Sequence, residues 1–390
     1  MSALTEKVVS AFRANFKHEP SYTILSPGRI NIIGEHVDYN DGFVMPAAIN
    51  KYVCFAIAES RSSSCTLVAL DLDKTYAFDL TDEISPVADM WVNYILGVVS
   101  PLKKQLKGFN IAFSSTIPMG SGLSSSAAVE CGAAFALNTL FDLGLSKEQL
   151  VKLGQQAEHT FVGVKCGIMD QFASVFGKAN QVIKLDCTTL DYAYYPANLG
   201  DYCLVLLDSK VKHTHLTSGY NTRREEVEAG LKLINHAFPE VNTYRDCTME
   251  QIEAVKDSLG ETLYKRCSFV VKEINRVEEA VNALVTADLQ ILGQLMYSTH
   301  EGLSADYEVS CDELDFLVNQ VKNIPEVLGA RMMGGGFGGC TINLVKRAAI
   351  SRFENEIKSA YKIRFDIDLE MYKVDISEGT HLFHNQLFGN

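Results

Sequence analysis

The stretch that most constrains the fold is a loop rich in glycine and serine at residues 118–128, with the sequence PMGSGLSSSAA. An apolar run at 109–113 precedes it and predicts a strand, and an alanine-rich run at 129–140 follows it and predicts a buried helix. Unpaired backbone N–H groups and the helix dipole favour an anion where a helix begins. The loop is therefore a candidate phosphate-binding site, and the structural alternative is a plain helix-capping turn.

Length and charge limit the possible partners. The 390 residues predict two domains, and we place the boundary near residue 200, giving domains 1–200 and 201–390. The formal charge of −13, without a basic block, argues against nucleic acid or an anionic membrane surface as the main partner. A phosphate ligand stays compatible with this charge because a backbone site binds anions locally.

The cysteines and the N-terminus predict a compartment. Ten cysteines are present, and no two of them form the C-x-x-C spacing of zinc or redox sites. This pattern is typical of a reducing environment. No apolar run approaches the ~20 residues that span a bilayer, and no signal-type apolar segment opens the chain. We therefore expect a soluble, cytoplasmic protein with no membrane partner.

Periodicity predicts an α+β protein. In the first half it indicates helices at 4–16 and 90–106 and strands at 22–25, 30–33, 43–49, 52–58, 65–70 and 75–78, with 186–199 irregular. In the second half it indicates helices at 220–237, 261–284, 286–300, 312–323 and 348–363 and strands at 330–333, 340–345 and 370–374. Ser146 with Gln149, and Ser310 with Glu313, have the spacing of helix capping boxes.

Two further motifs accompany the loop at 118–128. They are PGRINIIGEHVDYN at 27–40 and GGGFGG at 334–339. The three motifs in this order resemble the GHMP kinase superfamily. More specifically, GEHVDYNDG at 34–42 and CGIMDQF at 166–172 resemble the galactokinase family. The resemblance covers essentially the whole chain. It implies a two-domain GHMP kinase fold, with an N-terminal ribosomal-protein-S5-like α+β domain, a C-terminal ferredoxin-like α+β domain and an active site between them.

The resemblance implies a catalytic pair, Asp170 and Arg29. A sugar hydroxyl that attacks the γ-phosphorus of ATP must lose its proton, and a positioned carboxylate such as Asp170 can accept it. Arg29 would stabilise this carboxylate and the charge that develops on the transferred group. Read without the resemblance, Asp170 could cap a helix and Arg29 could be a surface residue after a turn.

The segment at 34–42 predicts a sugar site. Sugar hydroxyls both donate and accept hydrogen bonds, so carboxylates and an imidazole are suitable partners. From the residues alone, two other interpretations of this segment remain, namely a solvated acidic turn and a metal site. The resemblance assigns the sugar contacts to Glu35, His36, Val37, Asp38, Gly167 and Tyr220, with Val37 at a position where threonine is frequent in the family.

The loop at 118–128, called the phosphate loop below, lacks the Gly-Lys-Ser/Thr of a Walker A sequence and the third glycine of a dinucleotide fingerprint. The resemblance makes it an ATP-binding loop, formed by Gly120, Ser121, Gly122, Leu123, Ser124, Ser125 and Ser126. Phosphoryl transfer from ATP implies Mg²⁺, and the resemblance gives it the ligands Ser126 and Glu158. In isolation Ser126 could be a helix cap and Glu158 a solvated helical glutamate.

Together these features imply ATP- and Mg²⁺-dependent phosphorylation of the anomeric hydroxyl of D-galactose. Two alternatives remain at this point. One is a kinase for a related sugar such as N-acetylgalactosamine. The other is a non-catalytic galactose and ATP sensor, which would be expected to have a damaged phosphate loop or to lack Asp170.

Overall fold

The computed structural model describes residues 2–211 and 216–383. Within these ranges the strands are β1 Tyr22–Asn31, β2 Phe43–Val44, β3 Pro46–Glu59, β4 Ser64–Ala69, β5 Lys74–Asp79, β6 Phe109–Ser115, β7 Gln181–Asp186, β8 Tyr192–Pro196, β9 Tyr202–Asp208, β10 Val327–Met332, β11 Cys340–Lys346, β12 Glu370–Val374 and β13 His381–Leu382. The α-helices are α1 Ser2–Phe16, α2 Met90–Leu102, α3 Ser125–Phe141, α4 Lys147–Ala157, α5 Met169–Phe176, α6 Leu216–Ala237, α7 Met249–Ala254, α8 Lys256–Val285, α9 Leu289–Glu301, α10 Asp312–Val321 and α11 Ile350–Phe365. This mixture confirms the predicted α+β class.

The described strands form three sheets. The largest has the order β13-β1-β3-β6-β4-β5, a second has the order β10-β11-β9-β12, and a third has the order β2-β7-β8. The second sheet is antiparallel throughout. Its strands follow one another as β9, helices, β10, β11, α11, β12, which is the ferredoxin-like βαββαβ arrangement. The proposed boundary near residue 200 lies between β8 and β9.

Small residues bring α3 directly onto the large sheet. A Cβ on Gly132 would lie 2.3 Å from the Phe55 ring on β3, so only glycine fits at this contact. All five alanines of α3 are buried. This close packing explains the alanine-rich run, and it fixes the N-terminus of α3, where the phosphate loop ends.

The strand β1 is longer than predicted. The sequence pattern predicts two strands at 22–25 and 30–33, but β1 pairs with β3 continuously, with a register shift between Pro27 and Arg29. Proline has no N–H for the ladder, and a bulge accommodates it without ending the strand. Bulges also redirect the side chains beside them. Arg29 is the first paired residue after this bulge.

Two predictions about structure boundaries were wrong. The stretch 186–199, predicted to be irregular, contains β8, which pairs with β7. The helix predicted at 286–300 begins later, at Leu289, because Asp288 accepts a hydrogen bond from the Ile291 N–H at 3.0 Å and so caps α9. Thr286 instead ends α8.

One of the two predicted capping boxes is confirmed. Ser146 and Gln149 exchange both hydrogen bonds at the start of α4. Ser310 does not cap α10, because Cys311 is the N-cap residue and the Ser310 hydroxyl instead donates to Asp315 at 2.5 Å. A matching sequence spacing therefore does not ensure a cap when the helix begins one residue later than the spacing predicts.

The C-terminal part of the described chain returns to the first sheet and supports α5. β13 pairs with the edge of β1. The Thr380 hydroxyl donates to the carbonyl oxygen of Ser174 at 2.9 Å, and the Ser174 hydroxyl donates to the carbonyl oxygen of Pro27 at 3.0 Å. These bonds fix α5 against β1, and the two elements carry Asp170 and Arg29.

No helix in the described ranges combines the length and apolarity that a bilayer crossing requires. All ten cysteines lie in these ranges, and each is a free thiol.

Candidate active site

A cleft of about 450 Å³ lies where the phosphate loop, β1, α5 and the glycine loop at 334–339 meet. It brings together most of the predicted site residues. Those that line it are Arg29, Glu35, His36, Asp38, Gly120, Gly122, Leu123, Ser124, Ser125, Ser126, Glu158, Asp170 and Tyr220. Val37, Gly167 and Ser121 do not line it, although each is next in sequence to a residue that does.

Arg29 and Asp170 form a bidentate ion pair in this cleft. Arg29 Nε donates to Asp170 Oδ1 at 2.6 Å, and Nη2 donates to Oδ2 at 2.9 Å. Arg29 Nη1 also donates to the carbonyl oxygen of Gly122 at 2.6 Å. Burial alone would lower the pKa of Arg29, but the charges of Asp170 and Glu35 outweigh it and raise that pKa. Arg29 is thus a permanent cation that joins the phosphate loop to Asp170.

The phosphate loop owes its shape to left-handed backbone positions. Gly120 and Gly122 both have φ of 75°, and Ser124, the N-cap residue of α3, has φ of 55°. The Ser124 hydroxyl donates to Asp170 Oδ2. Its side chain therefore contacts the Arg29–Asp170 ion pair, a role that the sequence did not reveal. The Ser121 hydroxyl is buried and donates back to the carbonyl oxygen of Pro118 at 2.7 Å, which stabilises the turn.

Glu158 and Ser126 lie side by side on the wall of the cleft. Glu158 is 6% exposed and begins a π-helical turn after α4. Burial raises the pKa of Glu158 to about 7, although a hydrogen bond from Ser126 acts in the opposite direction. A nearby cation would compensate for this desolvated carboxylate.

Glu130 lies one turn beyond Ser126 on α3 and was not predicted as a site residue from the sequence. It is fully buried, and its Oε2 accepts a hydrogen bond from Gln171 Nε2 at 3.2 Å. Gln171 directly follows Asp170, so this bond is a second link between α3 and α5. Burial and the neighbouring Glu158 raise the pKa of Glu130 well above its usual range.

Glu35 is held by a buried arginine that the sequence analysis also missed. Arg331, at the end of β10, is fully buried and lies 3.4 Å from Glu35 Oε1. The Gly334 N–H donates to the same oxygen at 2.5 Å, and Asn31 Nδ2 donates to Oε2 at 2.8 Å. Burial opposes ionisation, but Arg331 and Arg29 outweigh it and lower the pKa of Glu35. A lone arginine in an apolar predicted strand is the signal that could have revealed Arg331.

The start of the 34–42 segment is also anchored from the second half of the chain. Glu273 on α8 is fully buried, and its Oε1 accepts hydrogen bonds from the Gly34 N–H at 2.8 Å and the Glu35 N–H at 3.3 Å. Its other oxygen accepts from Arg276 and from the Thr299 hydroxyl. The segment is therefore fixed by C-terminal helices as well as by β1.

His36 lies in an aromatic enclosure. Its ring centroid is 5.1 to 5.9 Å from the rings of Tyr39, Tyr220 and Tyr307. Burial lowers the pKa of His36 to about 4, so its imidazole is neutral at neutral pH. Nδ1 is hydrogen-bonded to the Tyr39 hydroxyl at 2.8 Å, whereas Nε2 is buried without a hydrogen-bond partner among the described residues.

Asp38 packs against the backbone of Gly167. A Cβ on Gly167 would lie 2.0 Å from Asp38 Oδ2, so the position requires glycine. Burial, with the charges of Asp170 and Glu35, raises the pKa of Asp38 to about 7. Val37 points into the core and is fully buried, and its carbonyl oxygen accepts from the Gly42 N–H at 2.8 Å. The side chain of Val37, a predicted sugar contact, therefore does not face the cleft.

A second groove, of about 350 Å³, adjoins the cleft. It shares Tyr94, Ser125 and Ser126 with the cleft, and Trp91 and Phe113 give it an aromatic wall. Trp91 lies on the helix predicted at 90–106, and this groove was not predicted from the sequence. An apolar, aromatic groove beside a phosphate loop has the shape and chemistry for a flat heterocycle.

Comparison with known proteins agrees with this geometry. Residues 93–178 match the GHMP kinases N terminal domain, residues 280–363 match GHMP kinases C terminal, and residues 10–59 match the galactokinase galactose-binding signature. A galactokinase of Thermotoga petrophila is 42% identical over 360 residues, which cover 92% of this chain and 99% of that protein. The chain belongs to the galactokinase family.

Further relatives agree with the family assignment. A galactokinase of Thermosipho africanus is 40% identical over 364 residues, covering 92% of this chain and 98% of that protein. The crystal structure of Lactococcus lactis galactokinase complexed with galactose has a TM-score of 0.92 at 36% identity, covering 98% and 99% of the two chains. The mevalonate kinase of Methanococcus jannaschii shares the fold, with a TM-score of 0.65 at 20% identity over 92% and 99% of the chains. The predicted GHMP kinase fold and the resemblance to sugar kinases of this family are thus confirmed.

Proposed function

We propose that this protein transfers the γ-phosphoryl group of ATP to the anomeric hydroxyl of D-galactose, giving galactose 1-phosphate and ADP. The observation that carries the proposal is the Arg29–Asp170 ion pair, because it lies between two distinct walls of one cleft. On one side is the phosphate loop, which Arg29 contacts through Gly122. On the other side is the segment with Glu35, His36 and Asp38.

Asp170 is the proposed proton acceptor. Its carboxylate is 28% exposed in the cleft, whereas Arg29 is 5% exposed behind it. A sugar hydroxyl approaching from the cleft would meet the carboxylate first and give it a proton as the oxygen attacks phosphorus. Arg29, still charged, would then lie beside the transferred phosphoryl group and stabilise its negative charge.

The phosphate loop and the adjoining groove are proposed to bind ATP. The N-terminus of α3 offers unpaired N–H groups to the phosphates. The groove lined by Trp91 and Phe113 begins at Ser125 and Ser126, so an adenine base there would remain connected to phosphates on the loop. In this proposal the γ-phosphate lies at the Asp170 end of the cleft.

Ser126 and Glu158 are proposed to hold Mg²⁺. The fit rests on Glu158, a buried carboxylate beside a hydroxyl on the cleft wall. Mg²⁺ prefers one or two protein oxygens together with phosphate oxygens and water, which suits this pair. When bound, the ion neutralises phosphate charge.

The remaining walls are proposed to select the sugar. Glu35, His36, Asp38 and Tyr220 present an anionic carboxylate, a neutral imidazole, a second carboxyl group and a phenol around one space. Buried polar groups of this kind strongly disfavour an epimer that leaves them unpaired.

The ten free thiols are consistent with our proposal of a cytoplasmic location.

The test is ADP release measured with galactose, glucose, N-acetylgalactosamine and galacturonate at fixed ATP and Mg²⁺. We expect turnover with galactose to exceed that with the other three sugars. Faster turnover with N-acetylgalactosamine would instead identify a kinase for a related sugar. Galactose binding without ADP release from any sugar would identify the sensor, which the presence of both Asp170 and Arg29 disfavours.

A further inference from the structure

The helices α3, α4 and α5 meet at one close contact. A Cβ on Gly154 of α4 would lie 3.0 Å from Gln171 Cγ on α5 and 3.5 Å from Glu130 Cβ on α3. A larger residue at this position would push the helices apart, because interiors are packed without spare volume. We call Glu130, Gly154 and Gln171 the three-helix node.

Each residue of the three-helix node lies close in sequence to a residue of the proposed metal or proton-transfer site. Ser126 lies four positions before the node residue of α3, and Glu158 lies four positions after the node residue of α4. Asp170 lies directly before the node residue of α5. Residues four apart in a helix lie one above the other, about 6 Å apart. A displacement of the helices at the node is therefore passed on to these three site residues.

One hydrogen bond joins two sides of the node. Gln171 Nε2 donates to Glu130 Oε2 at 3.2 Å, and both side chains are at most 1% exposed. Glu130 Oε1 has no hydrogen-bond partner among the described residues, so the bond to Gln171 is the one that holds this carboxyl group. A buried carboxyl group with a single hydrogen bond costs folding free energy, and an apolar side chain of the same size would cost less. Stability therefore does not account for Glu130.

This bond is the second polar attachment between α3 and α5. The first lies at the cleft, where the Ser124 hydroxyl donates to Asp170 Oδ2. A single attachment fixes a distance but lets α5 turn about it. A second attachment further along α3 also fixes the orientation of α5, and the close contact at Gly154 adds α4 to the same arrangement.

We propose that Glu130 is a positioning residue for the phosphoryl transfer. Through its hydrogen bond to Gln171, it holds the proposed base at a fixed place relative to the proposed metal ligands. Glu130 is fully buried and does not line the cleft, so it acts through Gln171 and contacts neither substrate. The roles of Asp170, Ser126 and Glu158 rest on the proposed function, whereas the link between the helices does not.

The link predicts an effect on the chemical step. The sugar hydroxyl must attack phosphorus in line, so the base and the phosphates need a defined separation. A shift of α5 against α3 and α4 changes this separation, and a misplacement of about 1 Å can lower the rate roughly 10²-fold. The 34–42 segment is anchored elsewhere, by Glu273 and Arg331. Loss of the link should therefore lower kcat and leave galactose binding largely intact.

Two substitutions of Glu130 test this role. Glu130→Met removes the acceptor but keeps a side chain of similar length, and we expect kcat to fall about 10-fold or more, with the KM for galactose little changed. Glu130→Gln keeps an oxygen that accepts from Gln171, so its kcat should stay close to that of the wild type. Asn138→Leu is the matched control, since Asn138 lies near the other end of α3 and is hydrogen-bonded to the backbone of Leu145 at 2.9 and 3.2 Å. A kcat loss in either Glu130→Gln or Asn138→Leu as large as that in Glu130→Met, or an effect confined to KM, would overturn the proposal.

Gln171→Met removes the same hydrogen bond from the other side. Because both substitutions break one interaction, the double variant Glu130→Met with Gln171→Met should have a kcat no lower than the more impaired single variant. If the two losses multiply in the double variant, the side chains act separately and the link is not their cause. Gln171→Met also takes the place of Glu130→Met in every measurement if the latter does not fold.

Hydrogen exchange of the ligand-free proteins tests the link without any activity. In Glu130→Met the backbone amides of α5 should exchange faster than in the wild type, while in Asn138→Leu their exchange should be unchanged. Unchanged exchange of α5 in folded Glu130→Met would overturn the link. If the wild type releases no ADP with any sugar, the proposed function fails, and the exchange measurement still decides whether Glu130 holds α5 in place.

Discussion

Arg29 and Asp170 are 141 positions apart in the chain, yet two hydrogen bonds of 2.6 and 2.9 Å join them side by side in the cleft. The elements that carry them are joined as well, because the Ser174 hydroxyl on α5 donates to the Pro27 carbonyl oxygen on β1. The pair is thus rigid without depending on a bound substrate. Such a fixed arrangement of charge is what transition-state stabilisation requires.

Asp170→Ala should lower kcat by roughly 10²- to 10⁴-fold, the usual contribution of a general base. Steady-state ADP release measures the change, and calorimetric titration with galactose shows whether the sugar still binds. The matched control is Asp186→Asn, since Asp186 forms a similar bidentate pair with Arg245 away from the cleft, at 2.6 and 3.1 Å. Near-normal turnover by folded Asp170→Ala would exclude Asp170 as the base.

Gly167→Ala should weaken sugar binding through Asp38. The new Cβ would lie 2.0 Å from Asp38 Oδ2, so one of the two must move. A displacement of this size can cost roughly 10- to 10²-fold, and we expect it in the KM for galactose and not in the KM for ATP. Gly163→Asn, in the same loop, is the control, because its φ of 85° suits asparagine and a Cβ there meets open space. An unchanged galactose KM in Gly167→Ala would show that Asp38 does not contact the sugar.

Glu158→Gln should increase the Mg²⁺ concentration needed for half-maximal activity by about tenfold or more. The change removes the charge but keeps the size of the side chain. Titration of activity with Mg²⁺ at saturating ATP and galactose measures the effect. Glu148→Gln, an exposed position in the first turn of α4, is the control. If Glu158→Gln and Glu148→Gln respond alike to Mg²⁺, Glu158 is not a ligand.

Asp38 should make the ligand-free protein less stable as the pH rises. Burial raises its pKa from the ordinary value of 3.8 to about 7, so the native state retains a proton that the unfolded state releases. Relative to Asp38→Asn, the wild type should lose free energy of unfolding as the pH rises from about 4 to about 7, and the difference should then level off. Urea unfolding of both proteins across this range measures the difference. A pH-independent difference would show that Asp38 titrates near its usual value.

The sequence predicted the local structure well, because a strand, a loop rich in glycine and serine and a helix that follow one another are encoded by neighbouring residues. The glycine and serine run at 118–128 and the box of Ser146 and Gln149 are of this kind. The predicted gathering of Arg29, Asp170 and Glu158 came from family resemblance and not from spacing.

What the sequence did not reveal depends on contacts between distant segments. Arg331 lies 296 positions from Glu35, and nothing near either residue in the chain indicates the pairing. The same is true of Tyr307 behind Tyr39, and of Glu273 behind Gly34. The bulge at Pro27 was also missed, because a proline predicts an interruption more readily than a continuous strand.

The measurement that tests the central claim most directly is a ³¹P NMR spectrum of the reaction with ATP, Mg²⁺ and galactose labelled with ¹³C at its anomeric carbon. The account predicts a phosphate ester coupled to that carbon, formed in equal amount to ADP, and its near absence with Asp170→Ala. An ester on another hydroxyl, inorganic phosphate in place of an ester, or no product despite bound galactose would contradict it.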